Sequence, residues 1–492
     1  MMLIEPNIVP VIGRPMEVCQ PLTEAASISC NAILQLARQL QDLRETDNPI
    51  KHFEDFEHAV NALFNQAQQD FLAESLADQD INVPAIEIEG ICYKRVLRSH
   101  QTYQTTVGPV RVMRTLYRNG KEQCIVPLEL KTGIIEGFWT PRAAKQVAWI
   151  VAQMPPGEAK GLFELMGGMS PSESSLSRFS GRFNEQWEQH REPFEDILIE
   201  QLKVPENAVT VATSLDGVML PMKDGKRKEK RTKSASEGKR TQGPAGCKEA
   251  SCGTLSFYDA QGDRLSTIRI GRMPEAKKVT LKQSLAALLR EALRQKPKLS
   301  LVKVADGAKD NWSYLSNELP TGVEVVDFYH AAEHLKKAFD QAYGENSPKS
   351  KEKFATYRHV LKEEQDGVER VIKALAYLHK KHPRRSKLKT ELEYFRNNRQ
   401  RMRYAEHLAN NLPIGSGVVE AACKTLVTQR MKCSGMRWRR PGGQGVLTLR
   451  SLIQSGWFEN GWKLLAATYC GKVTEATTNN VIPFPIKGSS ER

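Results

Sequence analysis

The sequence predicts a mixed-sheet α/β protein with helical flanks, on three observations. From residue 207, apolar and β-branched runs alternate with an amphipathic helix. Strands read at 208–220, 250–258 and 264–270, a helix at 281–293, and further strands at 299–304 and 323–326 with a short helix between. Three successive strands followed by a strand–helix–strand unit make an antiparallel set joined to a crossover, which is a mixed sheet. Residues 141–200 and 331–405 carry helical periodicity on either side, and 492 residues are enough for two to four domains with cores of their own.

Composition narrows the class. Hydrophobic residues make up 40 % and charged residues 26 %, which excludes a mainly disordered chain, a collagen and a coiled-coil rod. Lys plus Arg number 71 against 57 Asp plus Glu, a net charge of +14 that calls for a polyanionic partner, nucleic acid or an acidic membrane face. No apolar run approaches the ~18 residues of a membrane span. The first fifteen residues contain Glu5 and four prolines or glycines and lack a basic start, so they do not read as a signal peptide. The expectation is a cytoplasmic, nucleoid-associated protein with DNA as the polyanion. The nine cysteines are an odd number scattered from Cys19 to Cys470. The closest pair is Cys247 and Cys252 and no CxxC occurs, so they read as free thiols in a reducing compartment rather than a zinc site.

The elements follow in chain order. Residues 1–84 are helical: Ile33, Leu36, Ala37 and Leu40 share one face, and Phe53, Phe56, Val60, Leu63 and Phe64 form a second stripe. They make either a dimerisation arm or a helical pair packed on its own domain. Residues 85–140 are a small β-rich region. Ile86-Glu-Ile-Glu alternates, and Thr102 to Tyr117 is β-branched and aromatic around Gly108-Pro109, with Arg111, Arg114 and Arg118 making it basic. Within 141–200, Pro156-Gly157 opens a short helix to about Met166. Gly167-Gly168 and a Ser170-Pro171 cap then lead into a second helix carrying Arg178 and Arg182. That is the outline of a helix-turn-helix DNA reader, or of an ordinary helical hairpin. The sheet region covers 205–330 and 406–465. Its 223–240 stretch holds nine Lys/Arg against three acids and reads as a flexible basic loop. Residues 331–405 form an all-α insertion whose 380–403 part carries ten Lys/Arg against two acids and reads as DNA-facing, and 466–492 reads as a flexible tail.

Three carboxylates stand out by position. Asp216, in Thr213-Ser-Leu-Asp-Gly, and Asp306, in Lys303-Val-Ala-Asp-Gly, each follow apolar strand residues and precede a glycine. A strand-end carboxylate beside a glycine that lets backbone approach a ligand suits a metal ligand; a plain Asp-Gly turn is the alternative. Glu420 lies one turn into a helix that Ser416 can cap, with Lys424, Arg430 and Lys432 nearby, and is either a metal ligand or the partner of Lys424. Glu406, beside Arg403 and His407, is the competing third carboxylate. Phosphodiester cleavage wants such a set, because two Mg²⁺ ions held by carboxylate oxygens activate the attacking oxygen and stabilise the leaving one.

The ordered set Asp216-Gly217, Asp306-Gly307 with Trp312, Asp327-Phe-Tyr-His330, Pro413-Ile-Gly-Ser-Gly-Val-Val-Glu420 and Arg430-Met-Lys-Cys-Ser-Gly-Met-Arg-Trp438 resembles an insertion-sequence DDE transposase of the Kra group, distantly similar to Mutator-like transposases. The resemblance spans roughly 100–465. It implies a ribonuclease H-like catalytic core, a triad of Asp216, Asp306 and Glu420 holding two Mg²⁺ ions (or Mn²⁺ in their place), and residues 331–405 as an insertion between the second Asp and the Glu. Asp327 and His330 resemble the Asp-x-x-His element of the Mutator-like group. His330 would then steer the scissile phosphate or a leaving group; a helix cap and a surface histidine are the alternative. The Cys-pair zinc element that some related families carry near the N-terminus is absent from this sequence.

Residues 421–450 hold seven Lys/Arg and no acid. Arg430, Lys432, Arg437, Arg439 and Arg440 read as phosphate contacts, and Trp438 as a base-stacking platform or a ring packed under a helix end. Trp312 reads as core. The leading expectation is a DNA transposase that binds terminal inverted repeats and target DNA as a homodimer or larger homo-oligomer. A structure-selective nuclease of the same fold and a non-catalytic DNA-binding regulator are the competing readings.

Overall fold

The computed structural model describes residues 24–45, 52–120, 124–223 and 246–476, with Ser236 and Gly238. The basic loop read at 223–240 and most of the tail read at 466–492 lie outside the described residues. The chain divides into two compact units, residues 1–132 with 471–492, and residues 133–470.

The first unit contains α1 (Glu24–Glu45), α2 (Phe53–Ala77), β1 (Ala85–Ile88), β2 (Ile91–Thr105), β3 (Gly108–Arg118) and α3 (Pro127–Thr132). Its antiparallel sheet runs β3-β2-β1, with the short strand Thr474–Glu475 on the outer edge of β1. Gly108-Pro109 opens β3 rather than forming the turn, because Thr105 pairs directly with Gly108. The Tyr117 ring is buried, and its hydroxyl donates toward the carbonyl oxygens of Ile81 and Val83 while accepting from the Val83 N–H. No residue of α2 is fully buried: Phe56, Val60 and Leu63 of its apolar stripe are half-buried, and Phe53 and Phe64 are exposed.

The second unit begins with α4 (Pro141–Gln153), α5 (Pro156–Met166), α6 (Glu173–Gln189) and α7 (Arg191–Glu200). The helix, glycine turn and second helix are present, but the cap is Ser172, whose side chain accepts from the Ser175 N–H; Ser170-Pro171 lies before it. The sheet follows: β4 (Thr210–Pro221), β5 (Cys247–Tyr258), β6 (Arg264–Arg272), α8 (Val279–Gln295), β7 (Ser300–Ala305), α9 (Lys309–Asn317) and β8 (Val323–Val326). Its order is β6-β5-β4-β7-β8, with β4, β5 and β6 antiparallel and β4, β7 and β8 parallel. The protein is therefore a mixed α/β molecule with a five-stranded mixed sheet and a separate antiparallel sheet. Residues Thr210 to Leu215 of β4 are all buried, as a strand covered on both faces requires. Leu281, Leu285, Leu288, Leu289 and Ala292 give α8 the apolar stripe that it lays on this core.

Residues 331–405 are helical, as α10 (Phe328–Tyr343), α11 (Pro348–Glu363), α12 (Gly367–Lys381), α13 (Ser386–Asn398) and α14 (Tyr404–Ala409), the last spanning slightly beyond that range. They are not a detached arm: Leu361, Leu375, Leu388 and Phe395 belong to the same buried cluster as Val302 and Val325 of the sheet. The chain returns as α15 (Gly417–Ala422), runs on through a π-helical turn, Cys423–Thr428, and a last turn, Gln429–Met431, and ends in α16 (Arg440–Gln454) and α17 (Phe458–Ala467). Val419 and Ala422 of α15 pack on Leu220, Ala250 and Cys252 of the sheet. Gly445 lets α16 touch the backbone of α6, since a Cβ there would stand 1.9 Å from the Ser180 carbonyl oxygen. Among the described residues no helix is long and apolar enough to cross a membrane.

Candidate active site

Register places the acidic residues. Ser214 of β4 pairs with Val304 of β7, and Ala305 of β7 pairs with Val326 of β8. Continuing those registers one or two positions sets Asp216 of β4 opposite Asp306, which directly follows β7, and Asp306 opposite Asp327, which directly follows β8. All three lie toward the C-terminal ends of the strands, the edge where open α/β sheets bind ligands. Asp216 is inside its strand, not at the end of it, because β4 runs on to Pro221.

Each aspartate is held differently. The Asp216 carboxylate accepts from the Gly217 N–H at 2.7 Å on Oδ1 and from the Cys423 thiol at 3.7 Å on Oδ2. The adjacent Cys252 thiol, burial and the Asp216 charge all push the Cys423 pKa up, so Cys423 stays a neutral donor. Asp306 accepts from the Asn311 amide and the Ala308 N–H on Oδ1, and its carbonyl takes the Trp312 indole N–H at 2.7 Å. Trp312 is buried, as the sequence predicts, and it anchors the site backbone. Asp327 is wholly buried. It caps α10 through the His330 N–H at 2.7 Å and also takes the Ser416 N–H. Burial pushes its pKa up, but the hydrogen bonds from His330 and Ser416 outweigh it and hold the carboxyl below the usual range.

Glu420 reaches the same edge from α15. Its Oε1 accepts from the Ser416 hydroxyl at 2.8 Å and lies 3.9 Å from His330 Nδ1. Ser416 thus holds the carboxylate, rather than capping the helix with its side chain as expected. No ion pair joins Glu420 to Lys424 among the described residues, so the simple surface-pair reading does not describe it. His330 Nδ1 is 3.2 Å from Asp327 Oδ1. That hydrogen bond, aided by the charges of Asp327, Glu420 and Asp306, raises its pKa to about 9 against the opposing effect of burial. Asp327, His330 and Glu420 are the one group of three potential ligands within 4.8 Å of one another among the described residues. Asp216 and Asp306 are not in that group. Glu406, the competing carboxylate, lies at the opposite end of the sheet beside Val209, Thr210 and Ser300.

The glycines have a different reason from the one read in the sequence. A Cβ at Gly217 would stand 1.9 Å from Glu249 Oε1, and one at Gly307 would stand 2.3 Å from Tyr394 Cε2. Both positions make room for a neighbouring side chain instead of a ligand. Tyr394, on α13 of the insertion, escaped sequence reading. Its ring stacks on His334 at 3.7 Å and its buried hydroxyl has no hydrogen-bond partner. Burial and the facing Asp306 and Asp327 carboxylates push its pKa up, so the phenol is neutral.

The basic residues divide. Arg178, Arg182, Lys432, Arg437, Arg439 and Arg440 are exposed, although Arg182 also reaches Glu136 at 3.4 Å. Arg430 is not a DNA contact: it is 2 % exposed, donates to the Val151 carbonyl at 2.9 and 3.1 Å, and sits over the Trp438 ring. Nor is Trp438 a free stacking platform. It packs on the Val419–Leu447 cluster, its indole N–H donates to the Met431 carbonyl, and its backbone bridges to Met222 beyond β4. Of the seven cations at 421–450, Arg450 is also spent internally, on the carbonyls of Thr425, Leu426 and Ala152.

No protein-family model matches this sequence, and no curated protein matches it either.

Proposed function

We propose that this chain is a DNA transposase of the DDE type, cutting at element ends and joining 3′-hydroxyls to target DNA. One arrangement carries the reading: Asp216 and Asp306 each lie two positions beyond Ser214 and Val304, the last paired residues of adjacent parallel strands, and the π-helical turn that continues the Glu420 helix touches Asp216 through Cys423. Strand order and directions support a ribonuclease H-like core, and the helices between Asp306 and Glu420 support an insertion there. The donors at this edge are carboxylate oxygens, a hard set that fits Mg²⁺. Asp216, Asp306 and Glu420 would hold two such ions, whose chemistry is to activate the attacking oxygen and stabilise the leaving one.

The chain's own residues do the rest. Asn311 and Trp312 fix Asp306, and Gly217 and Cys423 fix Asp216, so neither carboxylate needs ordering when DNA arrives. His330, cationic at neutral pH, faces Glu420 and presents a proton donor to a phosphate or leaving oxygen. Exposed Lys432, Arg437, Arg439 and Arg440 offer phosphate contacts, and Arg178 and Arg182 offer another set on α6.

The test incubates the full chain and Mg²⁺ with labelled duplexes taken from the DNA that flanks its coding sequence, together with a target plasmid. Labelled strands joined to plasmid support the reading. Cleavage without joining indicates the nuclease, and binding without cleavage indicates the regulator.

A further inference from the structure

At the edge of the sheet opposite the acidic residues lies a cleft of about 1030 Å³, walled by the starts of β4, β7 and β8 and by the exit from the insertion. Four arginines line it, Arg396, Arg399, Arg401 and Arg403, against two acids, Glu324 and Glu406. The acids are already engaged: Glu324 takes Arg401 Nε at 2.7 Å, and Glu406 lies 3.5 Å from Arg403. Arg401 is further fixed over the Trp312 ring at 4.2 Å. Arg396 and Arg399 remain, exposed and without an ion-pair partner among the described residues. His407, buried in the wall, has no hydrogen-bond partner at Nε2.

We propose that this cleft binds the phosphate backbone of a nucleic-acid strand, at a place separate from the candidate active site. Guanidinium forks match phosphate oxygens in pairs, and the exposed amides of Asn397 and Gln400 suit phosphate and sugar oxygens. An acidic protein would instead want a buried Trp or Tyr anchor, and no Phe, Tyr or Trp lines the cleft. The six residues of β7 separate the two edges, about 20 Å at ~3.3 Å per residue. At ~3.4 Å per nucleotide of a duplex strand, DNA engaged at the acidic edge needs about six nucleotides to reach the cleft. The cleft therefore grips DNA and does not cut it.

The experiment measures binding of a fluorescein-labelled duplex to the full chain as KCl is varied, in wild type and in Arg396→Ala/Arg399→Ala. Both side chains are exposed, so the variant should fold; its urea midpoint checks this, and Arg396→Gln/Arg399→Gln serves if it does not. The expected result is a log–log salt slope reduced by about 1.8, roughly 0.9 for each lost contact, with cleavage of saturated DNA unchanged. An unchanged slope, or a wild type that binds no duplex, overturns the proposal. So does inorganic tripolyphosphate binding that is lost in the variant while the duplex slope stays the same, since that makes the cleft a site for free phosphate chains. A reduced slope in a protein that cuts nothing leaves the cleft standing and removes the transposase reading; cleavage with an unchanged slope does the reverse.

Discussion

Both oxygens of Asp216 already have donors, whereas Asp306 and Glu420 each keep one oxygen without a hydrogen bond among the described residues. A Mg²⁺ ion held there, as proposed, would meet an open oxygen on Asp306 and on Glu420. Asp216→Asn and Asp306→Asn should each abolish cleavage while DNA affinity survives, read by cleavage and by binding on the same labelled duplex. The pair formed by Asp327 and His330 titrates in opposite senses. The folded Asp327 pKa lies below its unfolded value near 3.9, so its contribution to stability is present above about pH 4 and lost as pH falls through the folded value. The folded His330 pKa is raised to about 9 from about 6.5 unfolded, so its contribution is full below about pH 6.5 and lost as pH rises through about 9. Solvent screening at a side chain 39 % exposed keeps the His330 effect small. His330→Gln should flatten the urea midpoint between pH 6.5 and 9; a wild-type pH profile in the variant would show that the pair is not coupled to folding. The position of Asp306 was legible in the sequence because Asp-Gly after an apolar run marked the end of β7, whereas the same signal at Asp216 falls inside β4, which runs on to Pro221. Tyr394 and Cys423 were not legible, since nothing local distinguishes a tyrosine on an insertion helix or a cysteine on an apolar face until the fold brings them to an aspartate.

At the scale of elements, the strands of the five-stranded sheet were legible to within about three residues, as 250–258 against Cys247–Tyr258 and 264–270 against Arg264–Arg272 show, whereas β2 starts at Ile91, well before the Thr102 at which the sequence reading of that hairpin begins. Their β-branched runs and the leucine stripe of α8 are local signals. The reasons for the glycines were not local. Gly307→Ala drives a Cβ into a Tyr394 ring that His334 holds from the other side, and should cost about 1–3 kcal/mol as overpacking. The urea midpoint measures it, and Tyr394→Leu in the same chain should restore most of the loss. Arg430 shows the converse error, a cation in a basic run that lies buried on the last turn, Gln429–Met431, just past the π-helical segment. Arg430→Met should destabilise the fold by about 1–3 kcal/mol through the orphaned Val151 carbonyl. It should leave the salt dependence of DNA binding unchanged, opposite to the result expected for Arg437→Ala. The π-helical turn at Cys423–Thr428 itself has no sequence signature, yet it follows Glu420 directly and sets Cys423 against Asp216.

For the whole molecule, the charge of +14 predicted a polyanionic partner but could not say which face meets it. Folding sorts the cations: Arg430 and Arg450 are consumed inside, Arg396 and Arg399 line a cleft at one edge of the sheet, and Arg437, Arg439 and Arg440 stay exposed beyond Asp216 at the other. Residues 331–405 share the core of the sheet, so the insertion contributes Tyr394 to one edge and arginines to the other. In the proposed function, Asp216, Asp306 and Glu420 act as one catalytic centre at the C-terminal edge, and Glu406, at the other edge, lies outside it. Single-turnover cleavage of saturated labelled DNA in Mg²⁺, comparing Glu420→Gln with Glu406→Gln, tests it most directly. Glu420→Gln should bind DNA like wild type but cleave it slower by orders of magnitude, and Glu406→Gln should cleave at the wild-type rate. Normal cleavage by Glu420→Gln, or its loss in Glu406→Gln, would contradict that proposal.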